Sequence, residues 1–138
     1  MVKPLTLLFI CTHNRCRSVI AEVVANQRYG DRVLAYSAGR APAGEVHPLT
    51  LKYLAEKGYS VEGLKSQSWD EFAECGVDIA ITVCDSAAGE ACPLWMGDTQ
   101  RLHWGMPDPS RLDADEATVR DAFFAVMDAL DAKLAELV

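Results

Sequence analysis

The run Cys11-Thr12-His13-Asn14-Arg15-Cys16-Arg17-Ser18 has the make-up of a loop that holds a tetrahedral oxyanion against a nucleophile. Successive backbone N–H groups in such a loop can curl around an anion, and a helix that follows aims its positive end at the same point. Arg17 adds a planar fork able to grip two oxygens at once. A cysteine at the head of the cradle sits in a positive field, which favours the nucleophilic thiolate. Ser18 stands where its hydroxyl can donate to that sulfur. The candidate oxyanion ligands are therefore Thr12, His13, Asn14, Arg15, Cys16 and Arg17. The spacing Cys-x5-Arg is weak by itself, because a buried Cys followed by a surface Arg gives the same letters. Its weight comes from the apolar stretch before it, the helical pattern after it, and Ser18 beside Arg17.

Cys11 and Cys16 are two of five cysteines, the others being Cys75, Cys84 and Cys92. An odd count does not read as a disulfide framework. No C-x2-C knuckle is present, so structural zinc is not expected. The plain alternative for each is a small buried hydrophobe. Cys75, next to the helix-ending Gly76, reads as structural. His47 and His103 show no partner in sequence and are assigned nothing, and Trp69, Trp95 and Trp104 read as packing groups.

The elements that must position these residues alternate between strand and helix. Leu5–Ile10 is a continuous apolar run, as in a strand buried on both faces. Val19, Ile20, Val23 and Val24 follow helical spacing up to Tyr29-Gly30. Val33–Ser37 reads as a second strand. Pro48 suits the first position of the next helix, which Gly58 stops. Ser68-Trp69-Asp70-Glu71 is a capping box that opens a short helix ending at Cys75-Gly76. Val77–Val83 reads as a third strand, residues 84–100 as a long loop, and Arg101–Trp104 as a short fourth strand. The final helix has an acidic start at Asp113 and Glu116. Its stripe of Val119, Phe123, Val126, Leu130, Leu134 and Leu137 keeps steps of three and four. This alternation implies an α/β fold, with a parallel sheet between helices. In such sheets the ligand sits outside the carboxyl ends of the strands. Cys11, Cys84 and Asp108 all fall there.

With 138 residues, half of them hydrophobic and 24% charged, the chain has the size and composition of one globular domain, residues 1–138. Thirteen Lys and Arg against 20 Asp and Glu give a net charge of −7. That balance argues against nucleic acid as partner, and against an anionic membrane surface. No run approaches the length of a membrane span, and the apolar start is too short for a secretory signal. A cytoplasmic protein is the expectation.

The chain resembles the low-molecular-weight protein tyrosine phosphatases, and more closely the thioredoxin-coupled arsenate reductases that share their fold. The resemblance rests on the Cys11–Ser18 loop, Tyr36-Ser37-Ala38-Gly39, Val83-Cys84…Cys92-Pro93, and Trp104-Gly105-Met106-Pro107-Asp108-Pro109. It implies a three-layer, flavodoxin-like sandwich around a four-stranded parallel sheet. It implies that Asp108 is the general acid, although an Asp before Pro is also an ordinary turn-former. Both branches would open with attack by the Cys11 thiolate while Asp108 protonates the leaving oxygen. A phosphatase then hydrolyses the phosphocysteine. A reductase passes the adduct to a second thiol, leaving a disulfide that a third thiol and an external reductant resolve.

For the reductase, the resemblance assigns the second and third thiols to Cys84 and Cys92. The stretch between them, DSAAGEA, is slightly longer than the family's usual spacing. Two departures from the phosphatase pattern favour the reductase: Ser110 instead of an aromatic after Asp108-Pro109, and Val19 instead of Pro after Arg17-Ser18. The expected substrate is arsenate or a phosphate-like oxyanion. No tightly bound cofactor is expected, and an external thiol reductant of the thioredoxin or glutaredoxin type is required. Some relatives hold potassium near the loop, for which Asn14, Glu22 and Ser37 match, while Ser66 and Ser68 align only loosely with the remaining ligands. Cys16 is either a back-up thiol for Cys11 or a small residue that fits the loop. A non-enzymatic oxyanion-binding or redox-sensing domain stays open as a third reading. Cys11, Arg17, Ser18 and Asp108 together speak against it.

Overall fold

The computed structural model describes residues 4–84 and 99–137. Cys92, Trp95 and most of the expected 84–100 loop lie outside the described residues. Strands β1 (Leu5–Ile10), β2 (Val33–Ala38), β3 (Ile79–Thr82) and β4 (Gln100–His103) form one sheet in the order β2-β1-β3-β4. Every pairing is parallel. Helices α1 (Arg17–Tyr29), α2 (Pro48–Glu56) and α3 (Glu116–Leu137) surround it, with 3-10 turns at Trp69–Phe72 and Pro109–Arg111. No helix among the described residues is long and apolar enough to cross a membrane.

The chain leaves β1 towards β2 and later returns to β1's other side as β3, so the strand order reverses between β1 and β3. Open parallel sheets bind ligands in the crevice outside that reversal. Cys11 follows β1 and Cys84 follows β3, so both cysteines stand at its rim.

Successive side chains of a strand point to opposite faces, and both faces of this sheet are covered. On β2, Ser37 faces Glu22 of α1, while Tyr36 points the other way and meets Phe72 at 5.0 Å between ring centroids. Leu7, Leu8 and Phe9 of β1 are all fully buried, as their unbroken apolar run requires. The expected stripe of α3 holds: Phe123, Leu130 and Leu134 are fully buried, and Phe123 meets Tyr53 of α2 in a tilted ring pair 5.0 Å between centroids. Each such side chain contributes about 1.5–3 kcal/mol by leaving water. The arrangement is the α/β sandwich expected from the sequence.

Several boundaries differ from expectation; β2 runs one residue further, to Ala38, and β3 stops one residue earlier, at Thr82. β3 begins at Ile79 rather than Val77 because the Asp78 carboxylate takes the Thr6 N–H at 2.8 Å, replacing a backbone rung. β4 begins at Gln100, and Trp104 beyond its end packs on Phe9 at 6.0 Å. The capping box at Ser68 and Glu71 forms as read, but the helix it opens is the single 3-10 turn Trp69–Phe72. Cys75 beyond it is exposed and so not a packing residue.

Candidate active site

The loop from Cys11 to Cys16 is pulled open by its surroundings. Its carbonyls are held from outside: Thr12 O accepts from Ala41 N (3.0 Å), His13 O from Ala43 N (2.9 Å), and Arg15 O from His47 N (2.9 Å). Ser66 Oγ also donates to His13 O at 2.9 Å, and Thr50 Oγ1 to Arg15 O at 3.2 Å. With the carbonyls turned outward, the N–H groups face inward. Among the described residues, the N–H groups of His13, Asn14, Arg15 and Cys16 donate to no protein acceptor. Helix α1 starts at the same point with Cys16 as its N-cap, no side-chain cap and no acidic residue in its first turn. An uncapped helix start beside free N–H groups is an anion site.

Asn14 makes the curl. It is fully buried and has φ +46°, a left-handed conformation that Asn tolerates better than most residues. Gly39 lets the end of β2 lie against the loop. A Cβ there would stand 2.6 Å from Thr12 O and 2.8 Å from Cys11 O.

The nucleophile candidate is ordered by a directed hydrogen-bond chain. Gln67 N donates to Asn14 Oδ1 at 2.8 Å, which turns the amide so that Nδ2 donates to Ser18 Oγ at 2.8 Å. The Ser18 hydroxyl proton is then left for Cys11 Sγ, 2.9 Å away. Ser18 thus stands as expected, with the Asn14 amide behind it.

Arg17 is turned towards the loop after β4. Its Nη1 donates to Met106 O at 3.0 Å, and its Nη2 lies 3.6 Å from Asp108 Oδ2. Asp108 also accepts from Ser110 N (3.0 Å) and Ser110 Oγ (2.6 Å), and Arg111 Nε lies 3.5 Å away. Burial alone would raise this carboxyl. The Ser110 hydrogen bonds and the two arginine charges outweigh it and hold Asp108 below the usual carboxylate range. The structure therefore brings Asp108, distant in sequence, beside Arg17 of the loop that begins at Cys11.

Cys84 is buried, with its Sγ 3.9 Å from Thr12 Oγ1. The register explains this: Ile10 pairs with Thr82, and Val83 N donates to Ile10 O at 2.9 Å, so the next step sets Cys84 opposite Thr12. Cys16 is different. Burial pushes its thiol up to about 12, outweighing the Thr50 hydrogen bond, so it stays protonated near neutral pH. It is buried at the N-cap of α1.

Of the residues matched to a potassium site, Ser37 and Glu22 meet each other, and Gln67 bonds both Asn14 and Ser37. Ser37 Oγ donates to Glu22 Oε1 at 2.5 Å, and burial raises the Glu22 carboxyl. Asn14 directs its oxygen to Gln67, Ser66 holds His13 O, and Ser68 caps its turn. His13 is exposed, with Nδ1 3.0 Å from Ala41 O, so its backbone rather than its ring faces the cradle. Three residues had no signal in the sequence: Gln67, Thr50 and His47. His47 holds the loop by its N–H and caps α2 by accepting from Leu49 N on Nδ1. Burial, then the Arg15 charge, lower its imidazole.

The pattern of the low molecular weight phosphotyrosine protein phosphatase family matches residues 6–138, and the chain belongs to that family. It is also 34% identical to the arsenate reductase of Bacillus subtilis (strain 168) over 130 residues, 94% of this chain and 92% of the relative. The solved arsenate reductase of Archaeoglobus fulgidus is 28% identical with a TM-score of 0.74, covering 94% of this chain and 98% of that one. The thioredoxin-dependent arsenate reductase of Corynebacterium glutamicum is 28% identical with a TM-score of 0.71; it covers 99% of this chain, and this chain 62% of it.

Proposed function

We propose that this chain is an arsenate reductase in which Cys11, Cys84 and Cys92 act in turn. The observation that carries the reading is the buried Cys84 thiol packed against Thr12, the residue next to Cys11. A phosphatase has no use for a second thiol at that point. The similarity to curated arsenate reductases supports the same choice.

Arsenate enters the loop and takes up the inward N–H groups. Arg17 leaves Met106 O and Asp108 to bind two arsenate oxygens. With its neighbouring charge gone, Asp108 takes up a proton, which it then gives to the departing oxygen. The Cys11 thiolate attacks arsenic as that oxygen leaves as water, forming a Cys11–arsenic(V) bond. The Cys84 thiolate next attacks Cys11 Sγ. A sulfur–sulfur bond forms, the sulfur–arsenic bond breaks, and its electron pair stays on arsenic, which departs as arsenite. Two thiols have lost the two electrons that arsenic gained. Cys92 then attacks Cys84, freeing Cys11, and a dithiol reductant of the thioredoxin class reduces the Cys84–Cys92 disulfide.

The first half of this sequence needs only Cys11, Arg17 and Asp108. Slow hydrolysis of a phosphomonoester such as p-nitrophenyl phosphate is therefore expected as a side activity. Mixing the reduced protein with arsenate and counting free thiols separates the two chemistries. Loss of two thiols per arsenite formed supports the reductase. Unchanged thiols with p-nitrophenyl phosphate turnover overturn it in favour of the phosphatase.

A further inference from the structure

The hydrogen-bond chain that ends at Cys11 takes its direction from a group outside the loop. A backbone N–H can only donate, so Gln67 N fixes which end of the Asn14 amide faces Ser18, and hence which partner receives the Ser18 proton. Two contacts hold Gln67. Its carbonyl accepts from Gly39 N at 2.9 Å, and its side-chain Nε2 donates to Ser37 O on β2 at 3.0 Å. Ser37 is in turn fixed to α1 through Glu22. Every link from the Gln67 amide to the sulfur is 3.0 Å or shorter.

We infer that the Gln67 side chain is a positioning residue for the Cys11 chemistry. By tying residues 66–68 to Ser37 O it holds the N–H that orients Asn14, and through Asn14 the Ser18 proton that stabilises the thiolate. This rests on the reading of Cys11 as the nucleophile. It assigns to position 67 a requirement for a donor at the fourth side-chain atom.

Gln67→Met keeps the length and removes that donor, whereas Gln67→Arg restores an N–H at the same point along the chain. In Gln67→Met, alkylation of Cys11 by iodoacetamide at neutral pH, read by peptide mapping, is expected to slow about threefold to tenfold, the worth of one hydrogen bond. The acid limb of kcat/KM for p-nitrophenyl phosphate moves to higher pH. Competitive inhibition by inorganic phosphate is unchanged, because the inward N–H groups and Arg17 are untouched. Gln67→Arg recovers the rate. Should the Met variant not fold, Gln67→Glu, which keeps the shape and replaces the donor by an acceptor, gives the same reading. Wild-type alkylation and pH profile in the donorless variant overturn the inference. Equal loss of phosphate binding and rate, without rescue by Arg, also overturns it. Failure of the underlying reading looks different: Cys11→Ser would then retain p-nitrophenyl phosphate turnover.

Discussion

At the scale of single residues, the contact between Arg17 and Asp108 couples binding to protonation. In this structure Asp108 is held ionised, below the usual carboxylate range, by Ser110, Arg17 and Arg111 against the effect of burial. An oxyanion that draws Arg17 away removes one of those supports and brings negative charge close, so the carboxyl rises on binding. The sign follows: binding takes up protons, by up to one, at pH values between the free and bound titration points. Calorimetry of phosphate binding in buffers of different ionisation enthalpy measures this directly. Uptake is expected for the wild type and not for Asp108→Asn. The same substitution should lower kcat by about 10²–10⁴ for poor leaving groups and much less for good ones, since general acid catalysis is worth that much. An equal loss for both would make Asp108 a turn-former only. Arg17→Lys should weaken phosphate inhibition, because a point charge lacks the fork that spans two oxygens.

At the scale of elements, the loop keeps its shape because β2 approaches it without a side chain in the way. Gly39→Ala would set a Cβ 2.6 Å from Thr12 O, 2.8 Å from Cys11 O and 3.0 Å from Asn14 N, all backbone atoms that cannot swing aside. The expected cost is about 1–3 kcal/mol of stability, measured by urea unfolding, together with weaker phosphate binding. A neutral Gly39→Ala would mean that strand and loop are not held together as described. How far the elements were legible in sequence follows from what each one buries. β1 showed itself as an unbroken apolar run because both its faces are covered, and α3 as a stripe because one face is. β4 has Gln100, Arg101 and His103 exposed, so it carries no clean pattern and its start was misjudged by one residue. Cys11, Arg17 and Ser18 were legible because their chemistry depends on residue type and spacing. Gln67, Thr50 and His47 were not, since Gln67 and His47 reach the loop through backbone N–H groups that any sequence supplies, and Thr50 through an ordinary hydroxyl. Cys75, read as structural from its place beside Gly76, lies exposed.

At the scale of the whole molecule, the buried thiol of Cys16 links the loop to global stability. Burial raises it from 9.0 to about 12, so between those pH values the folded protein keeps a proton that the unfolded chain has released. Its contribution is fully present below about pH 9 and is lost as pH rises towards 12. Urea midpoints taken across that window should fall, and should fall less steeply in Cys16→Ala. The central claim, however, concerns the order in which three thiols act, and one measurement tests it most directly. Reduced Cys92→Ser protein is given arsenate without reductant, arsenite is counted, and the disulfide is located by peptide mapping. The account predicts one arsenite per protein and Cys11 joined to Cys84. Cys11 joined to Cys16 or Cys75, or repeated turnover without Cys92, would contradict it.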